Sequence, residues 1–216
     1  MLKSIYTLVL ASSLSVAQNM PKAAVYSGCT APKTVALTFD DGPWIYQNVI
    51  SDMLDSKGAK GTFFMNGNNY ECIYGHPPVE RLLKTFNSGH QICSHTWDHR
   101  DLVTLNATQI RAEADKMDSK EISTFTETFL DFYVAALFKI LGVNTTFFRP
   151  PYGSYNDLVR EVLSEKTFIL WDLEQVMIHS NLHVHPDLRL AAPETLSVKH
   201  PSKARTSTMQ LSAIAS

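Results

Sequence analysis

The sequence predicts an α/β fold built on a parallel sheet or barrel. Apolar, β-prone runs alternate with segments of helical period, and these runs close on Gly, Pro or Asp turn residues. The residues suited to chemistry fall at the ends of the runs, where a parallel sheet or barrel places its active site.

The first strand is "KTVALTFDD", in which Val35, Ala36, Leu37 and Phe39 lead into Asp40, Asp41, Gly42 and Pro43. Val49, Met53 and Leu54 then recur at helical spacing up to Gly58, and the strand "GTFFMNG" follows. The next unit reads as a helix from Val79 to Phe86, ended by Gly89, and a short strand from His90 to Ser94. A third unit places a helix capped near Asn106, a strand and turn in "NTTFFRPPYG", and a further helix and strand in "YNDLVREVLSEKTFILWD".

Two segments break this order. Joining Asp118 directly to Ala136 makes one amphipathic helix, with Ile110, Ala114, Met117, Phe138 and Leu141 in one stripe ended by Gly142, so 119–135 reads as an insertion. After Trp171 there is no Phe, Tyr or Trp, and the segment 173–216 shows no helical or strand period of useful length. That segment is expected to be a divergent tail without regular structure, leaving the barrel incomplete at its C-terminal end. Its "HVH", His183 and His185, lacks an element to hold a metal.

The chain has 216 residues, 44% hydrophobic content and a formal charge of -2, which suits one domain with a sizeable core. Lys and Arg are scattered, which argues against nucleic acid as a partner. The N-terminus carries Lys3, an apolar stretch from Ile5 to Leu14 and small residues at Ser15 and Ala17. It reads as a secretory signal over 1–17, too short to anchor in a bilayer, so the mature chain is expected outside the cell or in the wall. Glycosylation triplets at Asn106 and Asn144 agree with that route. Of three cysteines, Cys29, Cys72 and Cys93, at least one must stay unpaired within the chain.

Three short motifs suggest chemistry. In "TFDDGP" two neighbouring carboxylates repel unless a cation separates them or their protonation differs, although the same residues also make an ordinary turn. "SHTWDH" supplies His95 and His99 four apart, and Asp41 would complete the two-nitrogen, one-carboxylate set of an open zinc site. Because strand neighbours point to opposite faces, one acid could bind the metal while the other acts as base. "RPPYG" adds Arg149, a cation able to keep a carboxylate ionised, on a stiff turn whose backbone N–H could meet an oxyanion.

Taken in order, "TFDDGP", "SHTWDH" and "RPPYG" resemble the first three motifs of the polysaccharide deacetylase family, with its NodB homology domain, carbohydrate esterase family 4. The surrounding text is most similar to secreted fungal chitin deacetylases, and the resemblance runs over about 29–172. It implies a distorted (β/α) barrel of the NodB type. By motif position, it implies Asp40 as general base, with Asp41, His95 and His99 binding zinc, for which cobalt or another divalent metal could substitute. Arg149 would hold Asp40, and the Tyr152 N–H would share the oxyanion. Trp171, Pro151 and Trp97 would line the substrate. The implied substrate is chitin or N-acetylglucosamine oligomers, cleaved to acetate and free amine by a monomer. The family's fifth motif, Leu-x-His, has no good copy: His179 and His200 match poorly, and the fourth-motif aspartate has no equivalent after Trp171. Two alternatives therefore stay open, an inactive glycan-binding relic and a deacetylase of peptidoglycan or acetyl-xylan.

Overall fold

The structure is a computed structural model that describes residues 20–31, 34–118 and 135–171, together with the backbone of strands at 173–176, 189–190 and 210–215. Its centre is a parallel six-strand sheet curled into a half-barrel. The strands are β1 (Ala24–Tyr26), β2 (Thr34–Gly42), β3 (Thr62–Met65), β4 (Gln91–Ser94), β5 (Phe147–Phe148) and β6 (Thr167–Ile169), in the spatial order β1-β6-β5-β4-β3-β2. The sequence anticipates β2 to β6. It does not anticipate β1, a three-residue strand that pairs β6 from Ala24↔Thr167 to Tyr26↔Ile169 and is too short to carry a period. Within 173–216, β7 (Leu173–Val176) and β9 (Gln210–Ala215) form an antiparallel pair beyond β2, and β8 (Arg189–Leu190) pairs β2 in parallel. The rest of that stretch, residues 1–19 and 119–134 lie outside the described residues.

Helices α1 (Gln47–Ser56), α2 (His76–Asn87), α3 (Ala107–Asp118), α4 (Ala136–Leu141) and α5 (Asp157–Val162) connect the strands. Local chemistry sets their ends. Asn106 caps α3: its Oδ1 accepts from the Gln109 N–H at 3.0 Å, and the Gln109 side chain accepts in return from the Asn106 N–H at 3.1 Å. Helix α2 starts at His76, earlier than Val79, because Pro77 and Pro78 fall in its first turn, where no backbone N–H is needed.

The faces differ from expectation at two helices. On α1 the buried stripe is Gln47, Ile50, Ser51 and Leu54, while Val49 is 60% exposed. The stripe follows i, i+3, i+4, i+7, and its polar start is held in place by Gln47 Nε2, which donates to Thr85 Oγ1 on α2 at 2.9 Å. On α4, Ala136 and Leu137 are buried and Phe138 is exposed, because this short helix takes its phase from its own start rather than from α3.

The core fills both sides of the sheet. By register Phe39, Phe63, Phe148 and Phe168 lie on one face, where Phe39 and Phe63 stack at 4.7 Å and Phe148 and Phe168 meet at 5.3 Å, while Phe64, Cys93 and Ile169 pack on the other. Buried Lys166 pins the end of α3 by donating to the Asp118 carboxylate and, at 2.9 Å, to the Asp118 carbonyl. Cys93 is fully buried, and burial pushes its thiol up to about 12, so it is an inert thiol.

One glycine sets a side chain next to the strand ends. A Cβ on Gly67 would lie 2.0 Å from the Trp97 ring. Gly67→Ala is therefore expected to destabilise the chain by about 1–3 kcal/mol in urea unfolding, with a changed tryptophan fluorescence.

Candidate active site

Each strand from β2 to β6 delivers a group at or just past its C-terminal end: Asp40 and Asp41 on β2, Asn66 after β3, His95 after β4, Arg149 after β5 and Trp171 after β6. The acids do not follow plain strand alternation. β2 pairs β3 at Phe39↔Phe63 and next at Gly42↔Met65, so β2 carries one extra residue, and Asp41 takes a left-handed φ of 64°. The bulge turns both carboxylates to one place. Asp40 Oδ2 and Asp41 Oδ1 lie 3.9 and 3.7 Å from the same His95 Nε2. The expectation of opposite faces fails here for that reason.

All described non-glycine residues with a left-handed backbone belong to this group: Asp41, Thr96, His99 and Tyr152. Such conformations persist where the surrounding bonds over-determine them, which is a property of functional sites.

Asp41, His95 and His99 each offer one ligand atom, and these atoms all lie within 4.8 Å of one another. His99 Nε2 is 3.2 Å from Asp41 Oδ1. The two histidines come from a loop after β4 rather than from a helix. His95 Nδ1 sits 2.7 Å from the Arg149 carbonyl, an acceptor, so Nδ1 carries the proton and Nε2 presents its lone pair toward the acids. Burial, and then the nearby His99, hold the His95 pKa well below its ordinary value, which keeps the ring neutral and able to ligate. Two imidazoles and a carboxylate around one point fit a divalent ion such as zinc or cobalt.

Arg149 has no exposed surface, yet its guanidinium is well partnered. Nη1 donates to Asp40 Oδ1 at 2.6 Å and to Thr38 Oγ1 at 2.7 Å, and Nε donates to the Ile169 carbonyl at 2.8 Å. Its face lies 3.8 Å from the Phe64 ring centre and 5.7 Å from that of Trp171. Burial lowers its pKa to about 10, so it remains a cation at neutral pH. Two forces oppose at Asp40: burial raises its pKa and the Arg149 charge pulls it down, which leaves it raised to about 6. Asp41 has no such cation. Burial and then the Asp40 charge push it up to about 7, against a bond from Asn69 at 3.2 Å. A divalent ion held here would be the cation this second acid lacks.

Tyr152 lies in the turn Pro151–Gly153, with its ring edge-on to His99 at 4.8 Å. Among the described residues its N–H donates to no protein acceptor. A Cβ on Gly153 would come 2.6 Å from Trp171, so the glycine lets that indole close over the turn. Pro151 is buried and shapes the turn. Trp97 lies on Gly67, 6.1 Å from Tyr74 and under Lys116, and packs against the core. Thr38, Phe64, Asn66 and Asn69 escaped the sequence analysis. Asn66 was detectable in principle, since it holds the strand-end position that His95 and Arg149 hold after β4 and β5. His179 and His200 lie outside the described residues.

Residues 27–170 match the family described as Polysaccharide deacetylase. The chain belongs to this family. It is 39% identical over 145 residues to a chitin deacetylase of Pestalotiopsis sp, an alignment covering 67% of this chain and 43% of that protein. It is also 39% identical over 146 residues to a probable peptidoglycan-N-acetylglucosamine deacetylase of Arthroderma benhamiae, covering 68% of this chain and 30% of that protein. The chain thus spans less than half the length of these relatives. Among solved structures it is similar to the chitin deacetylase of Colletotrichum lindemuthianum, with a TM-score of 0.57, 28% identity and coverage of 69% of this chain and 60% of that one. The curled sheet is accordingly the distorted barrel of the polysaccharide deacetylases. No described helix is long and apolar enough to cross a membrane.

The raised Asp41 pKa has a signed consequence. Without metal, the unfolded chain releases the Asp41 proton near the ordinary pKa of 3.8 and the folded chain holds it to about 7, so Asp41 erodes stability as pH rises through that window. In chelator, Asp41→Asn should therefore gain stability relative to wild type from about pH 4 to 7, then level off. Urea unfolding at four pH values checks this, and a difference independent of pH would contradict it.

Proposed function

We propose that this chain is an exported, metal-dependent deacetylase that removes N-acetyl groups from chitin or N-acetylglucosamine oligomers as acetate. One observation carries the reading: a base held by a buried cation, Asp40 on Arg149, lies beside a ligand set of two histidines and one carboxylate. The fungal relatives, which are named chitin deacetylases, supply the substrate class. The apolar N-terminal stretch and the exposed Asn106 and Asn144 support export.

A divalent ion held by Asp41, His95 and His99 supplies Lewis acidity that polarises the acetyl carbonyl and acidifies water. The chain's own residues do the rest. Arg149 occupies Asp40 Oδ1, which leaves Oδ2, on the His95 side, to take a proton from the attacking water. The Tyr152 N–H donates to the oxygen that gains charge in the tetrahedral stage. Trp171 and the turn beneath it exclude water from the acetyl group. Collapse breaks the C–N bond, and Asp40, protonated in the first step, is the described group that holds a proton for the departing amine.

Acetate release from N-acetylglucosamine oligomers tests this directly. The full chain loaded with zinc should release acetate, chelator should abolish it, and Asp40→Asn should lower the rate by about 10²–10⁴-fold. Binding of the oligomers without acetate release would make the chain a glycan-binding relic, and release from acetyl-xylan or peptidoglycan alone would assign a different polymer.

A further inference from the structure

We propose that Asn66 and Asn69 form an amide relay that fixes Asp41 relative to the His95–His99 loop, making both asparagines positioning residues for the metal ligands. This rests on the metal-dependent reading above. The strand β3 lies between β2 and β4, which carry the ligands, and Asn66 is the residue just past its end, with only 1% of its surface exposed.

Every polar atom of Asn66 tied to a partner joins two arms of the site. Its backbone N–H donates to the Gly42 carbonyl at 2.8 Å, next to the acidic pair. Its Nδ2 donates to the His95 carbonyl and, at 3.1 Å, to that of Thr96, whose left-handed φ of 72° swings the chain round to His99. Its Oδ1 accepts from Asn69 Nδ2 at 3.3 Å, and the same Nδ2 donates to Asp41 Oδ1 at 3.2 Å. That carboxylate oxygen is the one facing His99 Nε2 and His95 Nε2.

The polarity of the relay is forced. Backbone carbonyls end it on one side and, in the metal-binding form, an ionised carboxylate on the other, and both only accept, so each amide turns its nitrogen toward them. Aspartate at either place has the same shape and the wrong charge. The loop between the asparagines is itself tied to the histidine loop, since the Gly67 and Asn68 N–H groups donate to the Trp97 carbonyl at 3.1 and 2.7 Å. Removing the Asn69 side chain therefore loosens Asp41 while leaving these backbone bonds in place.

Titrating Co2+ alone into the chelator-treated full chain tests the relay. Visible absorption and competition with a chromophoric chelator read the binding, and thermal unfolding of the metal-free chain reads the fold. Asn69→Ala and Asn66→Ala are expected to lower Co2+ affinity about 10–100-fold and to change the visible band. The double variant should lose no more than the more affected single one. The metal-free melting of Asn69→Ala should match wild type, which separates positioning from bracing of the fold. If Asn66→Ala does not fold, Asn69→Ala decides. Wild-type affinity and band in Asn69→Ala overturn the relay alone, whereas a wild-type chain that binds no Co2+ overturns both the relay and the metal-dependent reading.

Discussion

The site depends on one buried ion pair, Arg149 against Asp40. A guanidinium taken wholly out of water is unfavourable unless its donors and its face are occupied. Thr38, the Ile169 carbonyl and the Phe64 ring occupy them here, and Asp40 takes the remaining role of counter-ion. The pair also anchors geometry, because the Arg149 carbonyl receives the His95 ring and so fixes which nitrogen faces the acids. One residue thus sets both the charge of the base and the tautomer of a ligand.

The second constraint is the extra residue in β2. A regular strand would send Asp40 and Asp41 to opposite faces. The bulge and the left-handed Asp41 bring them to one buried point, where burial holds both pKa values up and the Asp40 charge raises that of Asp41 further. A site with two acids and one cation is short of positive charge. A divalent ion would supply it. Such an ion beside Asp41 and Arg149 beside Asp40 would then divide the acids between two cations.

Much of this was legible in the sequence because it follows from residue type and strand ends. The apolar runs at Val35–Phe39 and in "GTFFMNG" mark strands, and the chemistry-bearing residues follow them. What was not legible depends on backbone conformation and distant pairing. Nothing in "TFDDGP" shows that Asp41 is left-handed, or that β1 lies beside β6 across more than a hundred residues. The α1 stripe was misread because Val49 is apolar and Gln47 is not, yet Gln47 is buried through its bond to Thr85. Asn66 and Asn69 were missed because an amide announces no chemistry until its partners are known.

The division of roles between the adjacent acids is most directly tested by calorimetric zinc binding to Asp40→Asn and Asp41→Asn. With Asp41 as ligand and Asp40 held by Arg149, Asp41→Asn should lose about 100-fold or more in affinity while Asp40→Asn stays within about tenfold of wild type. Equal losses in the two variants, or the larger loss in Asp40→Asn, would contradict the assignment.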